Sequence, residues 1–72
     1  MHNIKSADDF SDLGWATVNQ VASYLNCHAD TIWRWSRHPE NTFPRPRKLA
    51  ARCTRWKVSE ILEWEAALLA AA

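Results

Sequence analysis

Arg34 and Arg37 stand three residues apart in Asp30-Thr31-Ile32-Trp33-Arg34-Trp35-Ser36-Arg37. On a helix that spacing puts both guanidinium groups on one face. A guanidinium can fork onto guanine O6 and N7 or clamp phosphate oxygens. Asp30 and Thr31 fall in the first turn of the same segment, the part of a docked helix that usually meets base edges. A carboxylate repels phosphate, so Asp30 is either an acceptor for cytosine N4 or a stabiliser of the helix dipole. Trp33 is expected on the same outward side, flat against a sugar-phosphate backbone with its indole N–H donating. The alternative for Trp33 is packing under the N-terminal arm. Further on, Arg45, Arg47, Lys48, Arg52, Arg55 and Lys57 follow within thirteen residues. Arg52 is expected at a hairpin tip, where an arginine can enter a narrow minor groove. Arg45, Lys48, Arg55 and Lys57 suit phosphate contacts that position without specifying. For any one of them the plain alternative is a solvated charge.

Other chemistries find little support. Cys27, His28, His38 and Cys53 are metal-ligating types, but no Cys-x-x-Cys pair exists. Neither a metal nor another cofactor is expected, and no Cys27–Cys53 disulfide. Glu60 and Glu63, one turn apart, suit an exposed helix start better than a carboxylate pair. His38 beside Glu40 has no nucleophile near it in sequence. The chain is not expected to be an enzyme.

Charge distribution says more than net charge. The 72 residues sum to +1. Residues 28–58 alone carry +6, between flanks of −2 before and −3 after. A basic block of that kind points to a polyanionic partner. A chain this short buries only about 60% of its unfolded surface. Five Trp, two Phe and one Tyr offset this with large buried areas. The length excludes a barrel or a dinucleotide-binding unit. No run of about 18 apolar residues exists, so no membrane span is expected. Met1 to Lys5 lacks the apolar stretch of a signal peptide, and the cysteines are expected reduced in a cytoplasm.

The elements that must position these residues follow from periodicity. Residues 1–14 are polar and acidic and form an N-terminal arm, partly flexible, in which Ile4, Phe10 and Leu13 are candidates to pack onto the domain. Residues 15–72 form the domain. Thr17 has the chemistry of an N-cap. Val18, Val21, Ala22 and Leu25 make the stripe of a short helix, and Asn26 stops it. A second helix covers about 29–37, with Ile32 and Trp35 inward and Pro39 ending it. Pro44 and Pro46 hold the next segment out of helix, with Phe43 as its anchor. From Arg45 the pattern changes to period two. Thr54, Trp56 and Val58 share one strand face, and Arg55 and Lys57 share the other. Residues 47–49 are the partner strand, with Ala50, Ala51 and Arg52 at the tip. Ser59 caps a last helix with Ile61, Trp64 and Leu68 as its stripe. Two helices, a Pro-rich loop, a basic two-stranded β-hairpin and a third helix make a mainly α, small winged helix-turn-helix.

In these residues the sequence resembles the AlpA-type phage regulators. The resemblance lies in Thr17-Val18-x-x-Val21-Ala22-x-Tyr24-Leu25, Thr31-Ile32-x-Arg34-Trp35, Phe43-Pro44-Arg45-Pro46-Arg47-Lys48-Leu49 and Arg55-Trp56-x-x-Ser59-Glu60-Ile61-x-x-Trp64. It covers about residues 15–65. That family is close to the phage excisionases, with a winged fold related to the MerR-type DNA-binding domain. The resemblance implies a recognition helix bearing Asp30, Thr31, Trp33, Arg34 and Arg37, and a wing over Arg47 to Arg55. The chain departs from the family pattern at His28, where Ser is usual, and at Cys27, which replaces an aliphatic residue. It departs again at Arg47, where an apolar residue is common, and at Ala50-Ala51, where Gly is usual. Because Ala disfavours the positive φ of a tight primed turn, the wing loop is expected to be wider.

The function so implied is sequence-specific binding of double-stranded DNA at attachment sites or promoters of a phage or mobile element. The chain would act as an excisionase (a recombination directionality factor) beside an integrase, and also as a transcriptional regulator. The alternatives are a pure transcription regulator and a protein-interaction module such as an antirepressor. With no coiled-coil heptads, a monomer in solution that assembles head-to-tail on tandem DNA sites is expected.

Overall fold

In a computed structural model, which describes residues 10–71, three helices and three strands lie wholly within those bounds. The order is β1 (Trp15–Ala16), α1 (Val18–Leu25), α2 (Ala29–Arg37), β2 (Arg47–Ala50), β3 (Cys53–Lys57) and α3 (Val58–Ala71). The expected hairpin is present, but the sheet has three strands, not two. Its order is β1-β3-β2, all antiparallel. The added strand pairs Trp15 with Lys57 and Ala16 with Trp56.

The helix pair is built by its caps. Thr17 Oγ1 accepts from the Gln20 amide at 3.1 Å, and Gln20 Oε1 accepts from the Thr17 amide at 2.8 Å, a reciprocal capping box. Asn26 ends α1 in the left-handed region at φ 58°, and the Cys27 amide returns to the Ala22 carbonyl at 2.9 Å. His28 then starts α2, its Nδ1 accepting from the Asp30 amide at 3.2 Å. The imidazole thus does the work of the missing Ser hydroxyl.

The wing turn is tight rather than wide. Only residues 51–52 separate the strands, and the register slips between Lys48 and Ala50. Arg52 alone in the turn has a positive φ, 64°. The bulge supplies the local twist that two successive left-handed residues would otherwise provide. The last helix starts two residues earlier than a Ser59 cap predicts. Val58 is already helical and buried, and its amide donates to the Gly14 carbonyl at 3.1 Å. The chain therefore passes from strand to helix with no loop, because the Gly14 carbonyl, just before β1, takes the first free amide of α3.

The core holds Phe10, Ala16, Val21, Ala22, Ile32, Phe43, Trp56, Val58 and Ile61. Trp56 is fully buried at its centre. Phe43 packs between Trp35 and Trp64, with centroids 5.5 and 5.0 Å away, and so anchors the Pro-rich loop. Of the N-terminal arm, Phe10 is buried and stacks on Tyr24 at 4.2 Å, and Leu13 is half-buried. Ile4 lies outside the described residues. Leu68 is not part of the α3 stripe. It is 54% exposed, because the helix outruns the core after Trp64 and Glu65.

Candidate nucleic-acid interface

The α2 helix divides its residues by angle. Ile32 is fully buried and Ser36 nearly so, one turn on. Asp30, Arg34 and Arg37 are exposed and line a shallow concavity with His38 and Pro39. Thr31 is half-buried at the edge of that face. Arg37 Nε donates to the Trp33 carbonyl at 3.3 Å, which holds its guanidinium along the helix. Trp33 is placed differently from the outward position expected. At 100° from Ile32 it sits on the flank, half-buried, its ring packed edge-on against Trp56 at 5.1 Å. The pull of Trp56 outweighs exposure, since an aromatic pair of this kind gains about 0.5–1.5 kcal/mol beyond area burial.

The sheet sorts its charges by pleat. Trp56 and Ala16 point into the core, so Trp15, Arg55 and Lys57 share the outer face. Arg47 lies directly opposite Arg55 across the hairpin. Like charges in that register are destabilising by a few tenths of a kcal/mol or more, on the order of other cross-strand pairs. Glu60 relieves part of it, accepting from Arg47 Nη2 at 2.6 Å. Lys57 Nζ sits 4.9 Å from the Trp15 ring centre and Arg47 Cζ 6.0 Å from it. Lys48 and Arg52 are exposed toward the hairpin tip, and Arg55 is half-buried with its Nη1 on the Thr54 carbonyl at 2.9 Å. Arg47 is the one cation of the helix–hairpin set in an ion pair with an acid among the described residues.

Arg45 does not extend from the hairpin. It lies before β2, exposed, with its Nη1 on the Ser36 carbonyl and, at 3.4 Å, on the His38 carbonyl. No periodicity or cap in the chain signals this link between the Pro-rich loop and the end of α2. Ser36 was also missed, although its i+4 spacing from Ile32 is a legible signal for burial. Its hydroxyl donates to the Ile32 carbonyl at 2.8 Å and accepts from Trp56 Nε1 at 3.2 Å.

The remaining titratable groups are peripheral. Cys27 and Cys53 are half-buried free thiols. Burial pushes the Cys27 thiol above its usual range. Among the described residues no cluster of His, Cys, Asp and Glu could hold a metal ion, and no helix is long and apolar enough to cross a membrane. Tyr24 donates its hydroxyl to Glu65 Oε1 at 2.5 Å, and this bond, then burial, then the negative charge, raise its pKa.

These features define a small helical module with a three-stranded sheet and cations on one helix face and one hairpin. The model of the family described as prophage CP4-57 regulatory protein (AlpA) matches residues 17–69, and the chain belongs to that family of phage-type DNA-binding regulators. No curated protein and no solved structure matches the chain at a significant level.

Proposed function

We propose that this protein is a winged helix-turn-helix factor that reads a specific DNA site through α2 and grips the backbone through its hairpin. One observation carries the reading. Arg34, Arg37, Lys48, Arg52, Arg55 and Lys57 have no acidic partner among the described residues, yet they lie on the two elements such a factor would use. Arg34 and Arg37, with Asp30 and Thr31, would meet base edges in the major groove. The exposed edge of Trp33 would rest on the backbone beside them. Arg47, Lys48, Arg55 and Lys57 would take phosphates, and Arg52 the minor groove.

In this reading the protein binds attachment-site and promoter DNA of a phage or mobile element. It acts as an excisionase beside an integrase and regulates a nearby promoter. One short helix and one wing tip discriminate poorly alone, so monomers would assemble head-to-tail on adjacent sites. The acidic flanks support such a contact with a neighbour's basic wing. The exposed Leu68 and Leu69 favour a second reading, a protein-docking role for the end of α3.

Titration of duplex DNA at several salt concentrations tests the DNA reading. Affinity should fall steeply, with a log–log slope of about −0.9 per phosphate neutralised. A flat slope would remove it and leave the docking role. A footprint covering the element's attachment site, together with excision that depends on the protein, would support the excisionase role. Footprints at promoters alone would leave a pure regulator.

A further inference from the structure

We propose that Arg45 is a positioning residue that latches the C-terminal end of α2 to the Pro-rich loop, and that it acts on DNA recognition through α2 rather than by touching phosphate. The last carbonyls of a helix have no partner within it. At the end of α2 the Arg34 carbonyl takes the His38 amide at 3.1 Å and the His38 carbonyl takes the Asn41 amide at 3.1 Å, while the Ser36 carbonyl is left to another group. Arg45 Nη1 supplies the Ser36 carbonyl and, at 3.4 Å, adds to the His38 carbonyl beside the Asn41 amide. Its positive charge also sits at the negative end of the helix dipole.

The latch has a second jaw. Ser36 is 4% exposed and bridges two elements through its hydroxyl. It donates to the Ile32 carbonyl one turn back and accepts the indole N–H of Trp56. Trp56 belongs to β3, so Ser36 is held from the sheet on one side and from the Pro-rich loop on the other. The loop is stiff where it must aim Arg45. Pro44 and Pro46 flank it and restrict its backbone, and Phe43 is buried just before. Little backbone freedom remains to be lost when the guanidinium docks.

Arg34 and Arg37 lie on the same turns as Ser36, so their aim depends on this latch. A helix end that frays or tilts by a fraction of a turn would still meet phosphates but would miss base edges. The inference about DNA rests on the function proposed above, whereas the latch itself is a property of the free protein.

The test compares Arg45→Ala with Lys48→Ala, a change at an exposed wing cation. Both positions are exposed, so both variants are expected to fold. In free protein, Arg45→Ala should speed amide exchange at His38 and Asn41 about tenfold, and Lys48→Ala should leave it unchanged. On DNA, Arg45→Ala should lower the ratio of specific to random affinity about tenfold with the salt slope intact. Lys48→Ala should instead reduce the slope by about one and weaken both sequences alike. Unchanged exchange at His38 and Asn41 in Arg45→Ala would overturn the latch. A salt slope reduced by about one with the affinity ratio preserved would make Arg45 a phosphate contact and overturn its positioning role. If the unaltered protein binds no DNA, the proposed function fails, and the exchange rates still decide the latch.

Discussion

Replacing Trp56 by Ala should unfold this domain or bring it close to unfolding. Trp56 is fully buried. Its ring packs edge-on against Trp33 at 5.1 Å, and its N–H is bonded to Ser36 at 3.2 Å. Its backbone pairs with Ala16 of β1. Truncating a buried Trp costs about 3–5 kcal/mol, from lost transfer energy and the cavity left behind. A chain of this length has a total stability of roughly 4–11 kcal/mol, at about 0.05–0.15 kcal/mol per residue. At about 4–8 °C per kcal/mol the midpoint should fall by at least about 12 °C, or the transition should vanish. Trp56→Phe separates the terms. It keeps most of the ring and removes the N–H, for about 1–3 kcal/mol. Ser36→Ala removes the same bond from its other end, so the double variant should be less destabilised than the sum of the two. Thermal melts followed by far-UV circular dichroism measure all of this. A Trp56→Ala protein melting cooperatively within about 5 °C of the original would refute the claim that this residue ties sheet and helices together.

Three further outcomes are expected. Arg34→Ala should cost on the order of 1–3 kcal/mol on a specific site and much less on random DNA, and equal losses would reduce Arg34 to a phosphate contact. Arg52→Gly should act in opposite directions on two quantities. It relieves the positive φ of 64° and so should raise the melting midpoint, while DNA affinity falls; a lowered midpoint would show that Arg52 is not strained. Tyr24 has its pKa raised by Glu65, so its neutral form is favoured in the folded state. The stability it contributes is full below the ordinary phenol value of about 10 and is lost as pH climbs through the folded pKa. Urea unfolding between about pH 9 and 12 should show a downward slope that Tyr24→Phe makes shallower, and identical slopes in the two proteins would exclude the coupling.

What was legible in the sequence had a period or a cap. Thr17, Asn26 and His28 bound their helices because capping is local chemistry. Ile32, Phe43, Trp56 and Ile61 are buried as their spacing requires. Strand β1 was not legible, since two residues carry no alternation and its partner lies some forty positions away. The buried part of α3 is shorter than its stripe, because periodicity continues through Leu68 while the neighbours that would cover it do not. For the candidate site, the sequence identified which cations lie on the helix and hairpin. It could not say which were already engaged. Arg45 and Arg47 look alike in the chain, yet one serves a helix end and the other an acid on α3. The side on which Trp33 lies is not legible, because a residue 100° from Ile32 is ambiguous until a large neighbour such as Trp56 resolves it.

The short strand β1 also dictates an order of assembly. The contacts of α1 with α2 are local and close only a small loop. Trp15 and Ala16, by contrast, must find Lys57 and Trp56 across the whole helix pair and hairpin. Closing so long a loop has an entropic cost that nothing repays until Trp56 is covered. The helix pair and the hairpin are therefore free to form early, and β1 joins last, when the Gly14 carbonyl just before it takes the first amide of α3. An element that joins last is absent from the folding transition state, so changes in β1 should mainly alter how fast the native state is lost rather than how fast it forms.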